Sequence, residues 1–126
     1  MIAGCGIDIV DVKRIKKIIK KWDTIFLDKF FTRQEIFYCE QKNNNKFQSY
    51  AGYFAAKEAL VKAFGTGFRY FKFKEIEIQK NNLGKPLIHL SANMEKTYLQ
   101  NKIVKIHLSI SHTAELAIAQ VIIEKE

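Results

Sequence analysis

The sequence predicts an α+β fold in which an antiparallel sheet packs against a long helix. Residues 2–10 alternate in the manner of a strand, residues 53–67 begin as an alanine-rich helical run, and two aliphatic segments near the C-terminus flank a short turn. The chain has 126 residues, 48% of them apolar, which is the size and composition of one domain. Because Pro86 is the single proline and no low-complexity linker occurs, we expect residues 1–126 to form that domain.

A strand and a helix are predicted first. Residues 2–10 place two glycines and then Asp8 on one face of the strand. The other face is apolar and comprises Ala3, Cys5, Ile7 and Ile9. Apolar residues at helical spacing then predict a helix over residues 12–26, and Trp22 belongs to its apolar set.

Two further helices follow. Thr32 and Glu35 have the spacing of a capping box and predict the start of a second, shorter helix. Residues 43–46, NNNK, predict a loop. The third helix carries YFAAKEALVKAF and ends in the Gly-Thr-Gly turn of residues 65–67.

The C-terminal half predicts two hairpins separated by a helix. Residues 73–80 and 87–90 are strand-like and are joined by the turn sequence NNLGKP. A helix is expected after Ser91. Residues 103–111 and 116–123 are rich in aliphatic residues, and the intervening HTAE predicts the turn of a hairpin that closes an antiparallel sheet.

The chain is strongly basic. It contains 21 lysines and arginines against 13 acids, a formal net charge of +8. Six positive charges and no acid lie between Val12 and Lys21. This balance predicts a negatively charged partner without distinguishing nucleic acid, membrane or protein.

The remaining composition favours a cytoplasmic protein. Cys5 and Cys39 are the only two cysteines, which is typical of a reducing compartment, and we expect both to be packing residues. The apolar N-terminal stretch lacks a basic leader and is interrupted by Asp8. The sequence therefore predicts neither a signal peptide nor a membrane span.

An acid and a base share one stripe of the third helix. Phe54, Glu58 and Lys62 are each four residues apart. A surface ion pair, contributing about 0.2–0.5 kcal/mol, is the common explanation of such a spacing. The alanines around it allow close approach of another element, and the Gly-Thr-Gly turn offers N–H groups to an anion. With Asp8 as a second carboxylate, the pattern suits Mg²⁺ bound together with substrate phosphates.

Four segments bring a known family into view. In chain order, GIDIVDV, AGYFAAKEALVKAFGTG, GKP and HLSISH closely resemble the holo-[acyl-carrier-protein] synthases, the short single-domain branch of the 4′-phosphopantetheinyl transferase superfamily. The resemblance runs nearly end to end, and its central segment is the most specific. It implies the fold of that superfamily and a homotrimer with active sites between subunits. It also implies Mg²⁺-dependent transfer of 4′-phosphopantetheine from coenzyme A to a serine of apo-acyl-carrier protein, for fatty acid biosynthesis, with release of adenosine 3′,5′-bisphosphate.

The resemblance assigns roles to individual residues. Asp8 and Glu58 correspond to the metal carboxylates, and Lys62 to the group that neutralises the transferred phosphoryl, so these three are the expected catalytic residues. The serine proton could pass to Glu58, to Lys62 or to a metal-bound water, and we favour the water, oriented by Glu58. The implied coenzyme A contacts are Lys46, Phe54, Lys62, Gly65, Thr66, Gly67, Gly84, Lys85, Pro86, Ser109, His112 and Thr113.

Two departures from the family pattern concern the 3′-phosphate of coenzyme A. The family commonly has arginine where this chain has Tyr53, and a more basic loop where it has Asn43, Asn44 and Asn45. Lys46 is the remaining cation there. Since lysine lacks the bidentate fork of arginine, we expect a weaker or rearranged clamp on that phosphate.

The resemblance makes the basic first helix the docking surface for acidic acyl-carrier protein. Arg14 is the leading contact, and the lysines steer the encounter. The expected partner-binding residues are Lys13, Arg14, Lys17, Lys20 and Lys21. Two alternatives remain at this point: a small basic nucleic-acid-binding module, for which no signature motif occurs, and a transferase for carrier domains of peptide or polyketide assembly, whose enzymes are usually double-domain. We expect no nucleic acid or membrane partner.

Overall fold

The computed structural model of the chain describes residues 1–65 and 71–126, and its elements confirm the predicted α+β class. Among these residues, one short 3₁₀ turn lies before the fourth helix and another before the second strand. In chain order the helices and strands are β1 (Ile2–Asp11), α1 (Val12–Trp22), α2 (Thr24–Phe30), α3 (Arg33–Glu40), α4 (Lys46–Phe64), β2 (Ile76–Lys80), β3 (Pro86–Leu90), α5 (Ala92–Gln100), β4 (Ile103–His112) and β5 (Leu116–Lys125).

The strands form two antiparallel sheets. One sheet has the order β1-β5-β4, and the other is the β2–β3 hairpin. In the larger sheet Asp8 lies opposite Ala119, and Ser109 lies opposite Gln120. The larger sheet packs against α4, which contributes fully buried alanines and Leu60 to the core. The predicted packing of an antiparallel sheet on a long helix is therefore confirmed.

Glycines bring β1 unusually close to α4. A Cβ added at Gly6 would lie 1.9 Å from the carbonyl oxygen of Ala59, and one added at Gly4 would lie 2.1 Å from that of Ala63. Any side chain at these positions would collide with helix backbone. The glycine and Asp8 face of β1 is consequently the inner face, and the apolar face of the strand points outward.

The outward face corrects one expectation. Cys5 lies on that face and is exposed, so the prediction that it is a packing residue is wrong. Cys39 is fully buried, as predicted. Ile7 and Ile9 are 54% and 60% exposed, which leaves an apolar strip on the open side of the sheet.

The predicted helix over residues 12–26 is two helices. Asp23 adopts a φ of 44°, and its backbone N–H caps α1 by donating to the carbonyl oxygen of Ile19. Such a left-handed backbone ends α1, and α2 starts at the next residue. Trp22, the last residue of α1, is 50% exposed, so its assignment to the apolar face is wrong.

Other boundaries differ by a few residues. Residues 43–45 form one 3₁₀ turn, and Lys46 already begins α4 rather than belonging to a loop. His112 is the last residue of β4 instead of a turn residue, and Pro86 is the first residue of β3. The capping box of Thr32 and the left-handed cap at the end of α4 are both confirmed. Of the helices within the described ranges, none has the length and hydropathy to cross a membrane.

Candidate active site

A cleft of about 430 Å³ lies where β1, α1 and α4 meet. Its apolar wall includes Phe26 and Phe54. Its charged lining residues are Asp8, Asp11, Arg14, Glu58 and Lys62. The fold therefore brings together the three residues that the sequence predicts as catalytic, and they come from a strand and a helix some fifty positions apart in the chain.

Lys62 reaches across the cleft to β1. Its Nζ donates to Oδ1 of Asp8 and to the carbonyl oxygen of Ile7, both at 3.0 Å. The Lys62 side chain is 54% exposed and that of Asp8 is 16% exposed. Lys62 is thus held at the mouth of the cleft by a long-range contact, rather than by a simple pairing along the helix surface.

Glu58 carries a carboxyl group whose charge is disfavoured. Burial raises the pKa of Glu58, the nearby charge of Asp8 raises it further, and Lys62 lowers it. Asp11 and Lys62 also line this cleft, so Asp8 and Glu58 are two of its three carboxylates. A bound cation would relieve their repulsion.

The donor set fits a hard divalent ion. Asp8 and Glu58 supply carboxylate oxygens, which are the ligands that Mg²⁺ prefers. Within residues 1–65 and 71–126, no three histidine, cysteine or acidic side chains gather in one metal-binding group. Two protein carboxylates would leave further positions for water and phosphate oxygens, which is the usual arrangement for Mg²⁺ at phosphate-binding sites.

A second cleft, of about 260 Å³, lies on another part of α4 and contains His112. Tyr53 lines it, and its ring stacks on Tyr38 with a centroid distance of 5.6 Å. Burial raises the pKa of Tyr53, so its hydroxyl stays neutral and adds no positive charge. The cations of this cleft, Lys42 and Lys80, were not singled out by sequence analysis.

Two features of the second cleft indicate a polar ligand. Lys42 holds its ammonium group 4.7 Å from the centre of the Tyr38 ring, at the edge of the cleft. The Oε1 atom of Gln48 is buried and has no hydrogen-bond partner among the described residues. The position of Lys42 directly before the asparagine loop could have suggested it, whereas Lys80 and Gln48 lack any local sequence signal.

The other predicted contacts are more scattered. Lys46 forms an ion pair with Glu40 at 3.2 Å. Ser109 lies on the exposed face of β4, and the Thr113 hydroxyl accepts hydrogen bonds from Glu115 and Leu116 in the β4–β5 turn. Gly84 and Lys85 are exposed residues of the β2–β3 turn, adjoining Pro86. Gly65 caps α4 with a φ of 79°, while Thr66 and Gly67 lie outside the described residues.

The basic residues of α1 lie beside the first cleft. Asp11 caps this helix by accepting a hydrogen bond from the Lys13 amide. The exposed positively charged residues are Lys13, Arg14, Lys16, Lys17, Lys20 and Lys21. Arg14 also lines the cleft, so the basic surface is continuous with the site that contains Asp8 and Glu58.

Comparisons of the whole chain with known proteins point to one family. A sequence model of the 4′-phosphopantetheinyl transferase superfamily matches residues 4–121. The holo-[acyl-carrier-protein] synthase of Halothermothrix orenii is 46% identical over 125 residues, covering 99% of this chain and 99% of that protein. The solved structure of the same-named enzyme from Neisseria meningitidis has a TM-score of 0.92 at 36% identity, covering 99% of this chain and 100% of that chain. The Helicobacter pylori enzyme, solved in complex with coenzyme A, has a TM-score of 0.84 at 38% identity, covering 95% of this chain and 99% of that chain.

Proposed function

Since the chain belongs to the 4′-phosphopantetheinyl transferase superfamily, we propose that it is a holo-[acyl-carrier-protein] synthase of fatty acid biosynthesis. It transfers the 4′-phosphopantetheine group of coenzyme A to a serine of apo-acyl-carrier protein and releases adenosine 3′,5′-bisphosphate. The observation that carries the proposal is the convergence of Asp8, Glu58 and Lys62 in one cleft of a chain with this family membership.

Asp8 and Glu58 would hold Mg²⁺. A bound ion would supply positive charge for the diphosphate of coenzyme A, which would make the phosphorus next to pantetheine easier to attack. The serine oxygen forms the new P–O bond, and the bond to the bisphosphate leaving group breaks. Catalysis of this kind depends mainly on positioning and charge, which the carboxylates and Lys62 supply.

The serine must lose its proton as it attacks. The inner position of Glu58 and its raised pKa make it suited to orient a water that receives this proton. Lys62, more exposed and already bonded to Asp8, balances charge on the transferred phosphoryl group. Glu58 thus takes part in proton transfer, and Lys62 stabilises negative charge.

Coenzyme A also needs cations for its nucleotide phosphates. The second cleft, with His112, Lys42 and Lys80, has the charge for the 3′-phosphate in a chain that has Tyr53 in place of the family's arginine. Lys46 serves as a further cation if coenzyme A displaces its exposed partner Glu40. The remaining contacts keep the roles implied by the family and complete the pocket: Phe54, Gly65, Thr66, Gly67, Gly84, Lys85, Pro86, Ser109 and Thr113.

Mass spectrometry tests the proposal directly. The protein is incubated with coenzyme A, Mg²⁺ and apo-acyl-carrier protein, and the carrier is weighed before and after. We expect the carrier to gain the mass of one phosphopantetheine group, and to gain none when coenzyme A is omitted. An unmodified acyl-carrier protein together with a modified peptide-synthase carrier domain would instead favour a transferase of the other carrier systems.

Replacing Lys62 with alanine should slow the transfer step. The negative charge that Lys62 offsets is greatest in the transition state, so kcat should fall about a hundredfold while the KM for coenzyme A changes little. Steady-state kinetics with Lys96→Ala, an exposed lysine of α5, as the matched control measure this difference. A raised KM with unchanged kcat would contradict the assigned role.

We also propose that α1 docks the acidic acyl-carrier protein. Its row of exposed cations adjoins the cleft through Arg14, so a carrier bound there would deliver its serine to Asp8 and Glu58. Like charges spaced three and four residues apart cost a helix about 0.2–0.5 kcal/mol per pair, which favours a functional reason for their accumulation. Arg14 is the leading contact, and Lys13, Lys17, Lys20 and Lys21 steer the encounter.

Reversing the charges of Arg14 and Lys17 to glutamate should raise the KM for the carrier about tenfold at low salt. The effect should shrink with added salt, and coenzyme A affinity should stay nearly unchanged. The control is the double variant Lys96→Glu with Lys102→Glu, which makes the same change in net charge. Both lysines are exposed and lie in or just after α5. Unchanged carrier kinetics, with lost binding to an oligonucleotide, would assign the basic helix to nucleic acid instead.

A homotrimer with shared active sites completes the proposal. The two clefts involve different residues of α4, and coenzyme A would bridge them if a second subunit brought its own His112 cleft to the Glu58 cleft. The open face of the β1-β5-β4 sheet is a suitable contact surface, because Ile7, Ile9 and Ile118 are 54%, 60% and 37% exposed there.

Sedimentation tests the assembly. We expect the protein to sediment as a trimer, and Ile118→Lys to give an inactive monomer because a buried lysine would disrupt the contact. Leu99→Lys, at an apolar position of α5 that is 67% exposed, should leave both mass and activity unchanged. If the wild-type protein is an active monomer, the proposed trimer is wrong.

A further inference from the structure

A charged pair lies in the core next to the active site. Lys57 Nζ contacts Glu35 Oε1 at 2.6 Å, and both side chains are 0% exposed. Withdrawing two charges from water is costly, and apolar residues often replace such pairs without loss of stability. Stability alone is therefore a weak explanation for this pair.

The ammonium group of Lys57 is fully bonded to its surroundings. Besides Glu35, Nζ donates to the carbonyl oxygens of Phe30 at 2.8 Å and Phe73 at 3.1 Å. These three bonds use all the N–H donors of a lysine. One atom of α4 thus holds the end of α2 and the segment that leads into β2.

The carboxylate of Glu35 is bonded to backbone in the same way. Its Oε1 accepts from the Thr32 amide at 2.8 Å, and its Oε2 accepts from the Ile78 amide at 2.7 Å. We call Glu35, Lys57 and these four backbone groups the buried clamp. It ties α2, α3, α4 and β2 together at one point.

The buried clamp is connected to the active-site cleft through aromatic rings. Phe30 and Phe73, whose carbonyls bind Lys57, have ring centroids 4.6 Å apart. Both rings pack on Phe54, at 5.7 Å and 5.3 Å, and the Phe73 ring stacks on it with an interplanar angle of 16°. Phe54 lines the cleft beside Glu58. Lys57 therefore fixes the backbone of the two residues that support this wall.

We propose that the buried clamp is a positioning element of the transferase site, which holds Phe30 and Phe73 so that Phe54 forms a preset wall for coenzyme A. The proposal rests on the proposed function, because it takes coenzyme A as the ligand of the cleft. Lys57 is enclosed in the core and acts only through its neighbours, so it is a positioning residue. A preset wall favours binding because less ordering is needed when the ligand enters.

Two variants separate positioning from stability. Lys57→Met keeps the unbranched shape and most of the length of the side chain, and it loses the N–H donors. Phe73→Leu leaves the carbonyl bond to Lys57 available and removes the stacked ring. Met94→Ala, at a fully buried position of α5, is the control for a general loss of stability. For each protein, urea unfolding defines conditions in which it is folded, and calorimetry then measures the dissociation constant of coenzyme A.

We expect Lys57→Met and Phe73→Leu each to raise the dissociation constant of coenzyme A about tenfold, and Met94→Ala to change it less than about twofold. The double variant should bind coenzyme A as either single variant does, because both changes act through the same wall. Wild-type affinity in folded Lys57→Met, or an equal loss in Met94→Ala, would overturn the proposal. If Lys57→Met does not fold, normal affinity in Phe73→Leu overturns it. A wild-type protein that neither binds coenzyme A nor modifies the carrier would overturn the proposed function, and this inference with it.

Discussion

Asp8→Ala and Glu58→Ala should each lower kcat/KM for carrier modification about a hundred- to a thousandfold while the protein remains folded. Each change removes one of the two carboxylates assigned to the metal and leaves the core intact, since both side chains lie at the cleft rather than inside the packed interior. In Asp8→Ala, Lys62 keeps its bond to the Ile7 carbonyl, and water solvates its exposed ammonium group. The change therefore leaves no buried charge without a partner.

Metal binding provides a readout that is independent of turnover. Electron paramagnetic resonance of Mn²⁺, used in place of Mg²⁺, should show weaker binding in both variants than in the wild type. Asp28→Ala, at an exposed acid of α2, removes the same charge away from the cleft and should change neither metal binding nor activity. Near-normal activity at saturating Mg²⁺ in both cleft variants would refute the assignment of Asp8 and Glu58.

Local patterns predicted much of the fold, because they describe interactions between residues near in sequence. The capping box of Thr32 and Glu35, the left-handed cap at Gly65 and the C-terminal hairpin all involve such contacts. Helical spacing drew attention to Glu58 and Lys62, and family resemblance gave them and Asp8 their roles; the superfamily match confirms that resemblance. The geometry that joins Asp8 to Lys62 spans 54 positions and could not be derived from spacing.

The features that local sequence patterns did not predict depend on long-range contacts or on the backbone. Alternation in residues 2–10 separates two faces, but it does not say which face is inner, and here the glycine face is buried because α4 approaches it. Lys57 follows alanines in a helix, and no local pattern indicates that it forms a buried ion pair with Glu35, 22 positions earlier. Likewise, the break at Asp23 leaves the apolar spacing of residues 12–26 undisturbed and becomes evident only from the backbone.

Gly6→Ala should destabilise the protein much more than the same substitution at Gly52 does. The new methyl group would lie 1.9 Å from the carbonyl oxygen of Ala59 and 2.8 Å from the amide nitrogen of Ala63. Both atoms belong to helix backbone, which cannot rotate away as a side chain can. Either β1 or α4 must move, and we expect the free energy of unfolding to fall by about 3 kcal/mol, the upper end of the usual cost of overpacking.

Gly52→Ala is the matched control, because it adds the same methyl group inside α4. There the added Cβ would meet only the Cγ2 atom of Ile110, at 3.0 Å, and a small shift of that side chain relieves the contact without moving any backbone. The higher helix propensity of alanine, about 1 kcal/mol, should offset the tighter contact and leave stability close to the wild-type value. Urea unfolding at one fixed protein concentration measures both variants, since assembly would make stability depend on concentration. Equal stabilities of Gly6→Ala and Gly52→Ala would show that β1 can withdraw from α4 without cost. The joint placement of Asp8 and Glu58 would then need a cause other than this close contact.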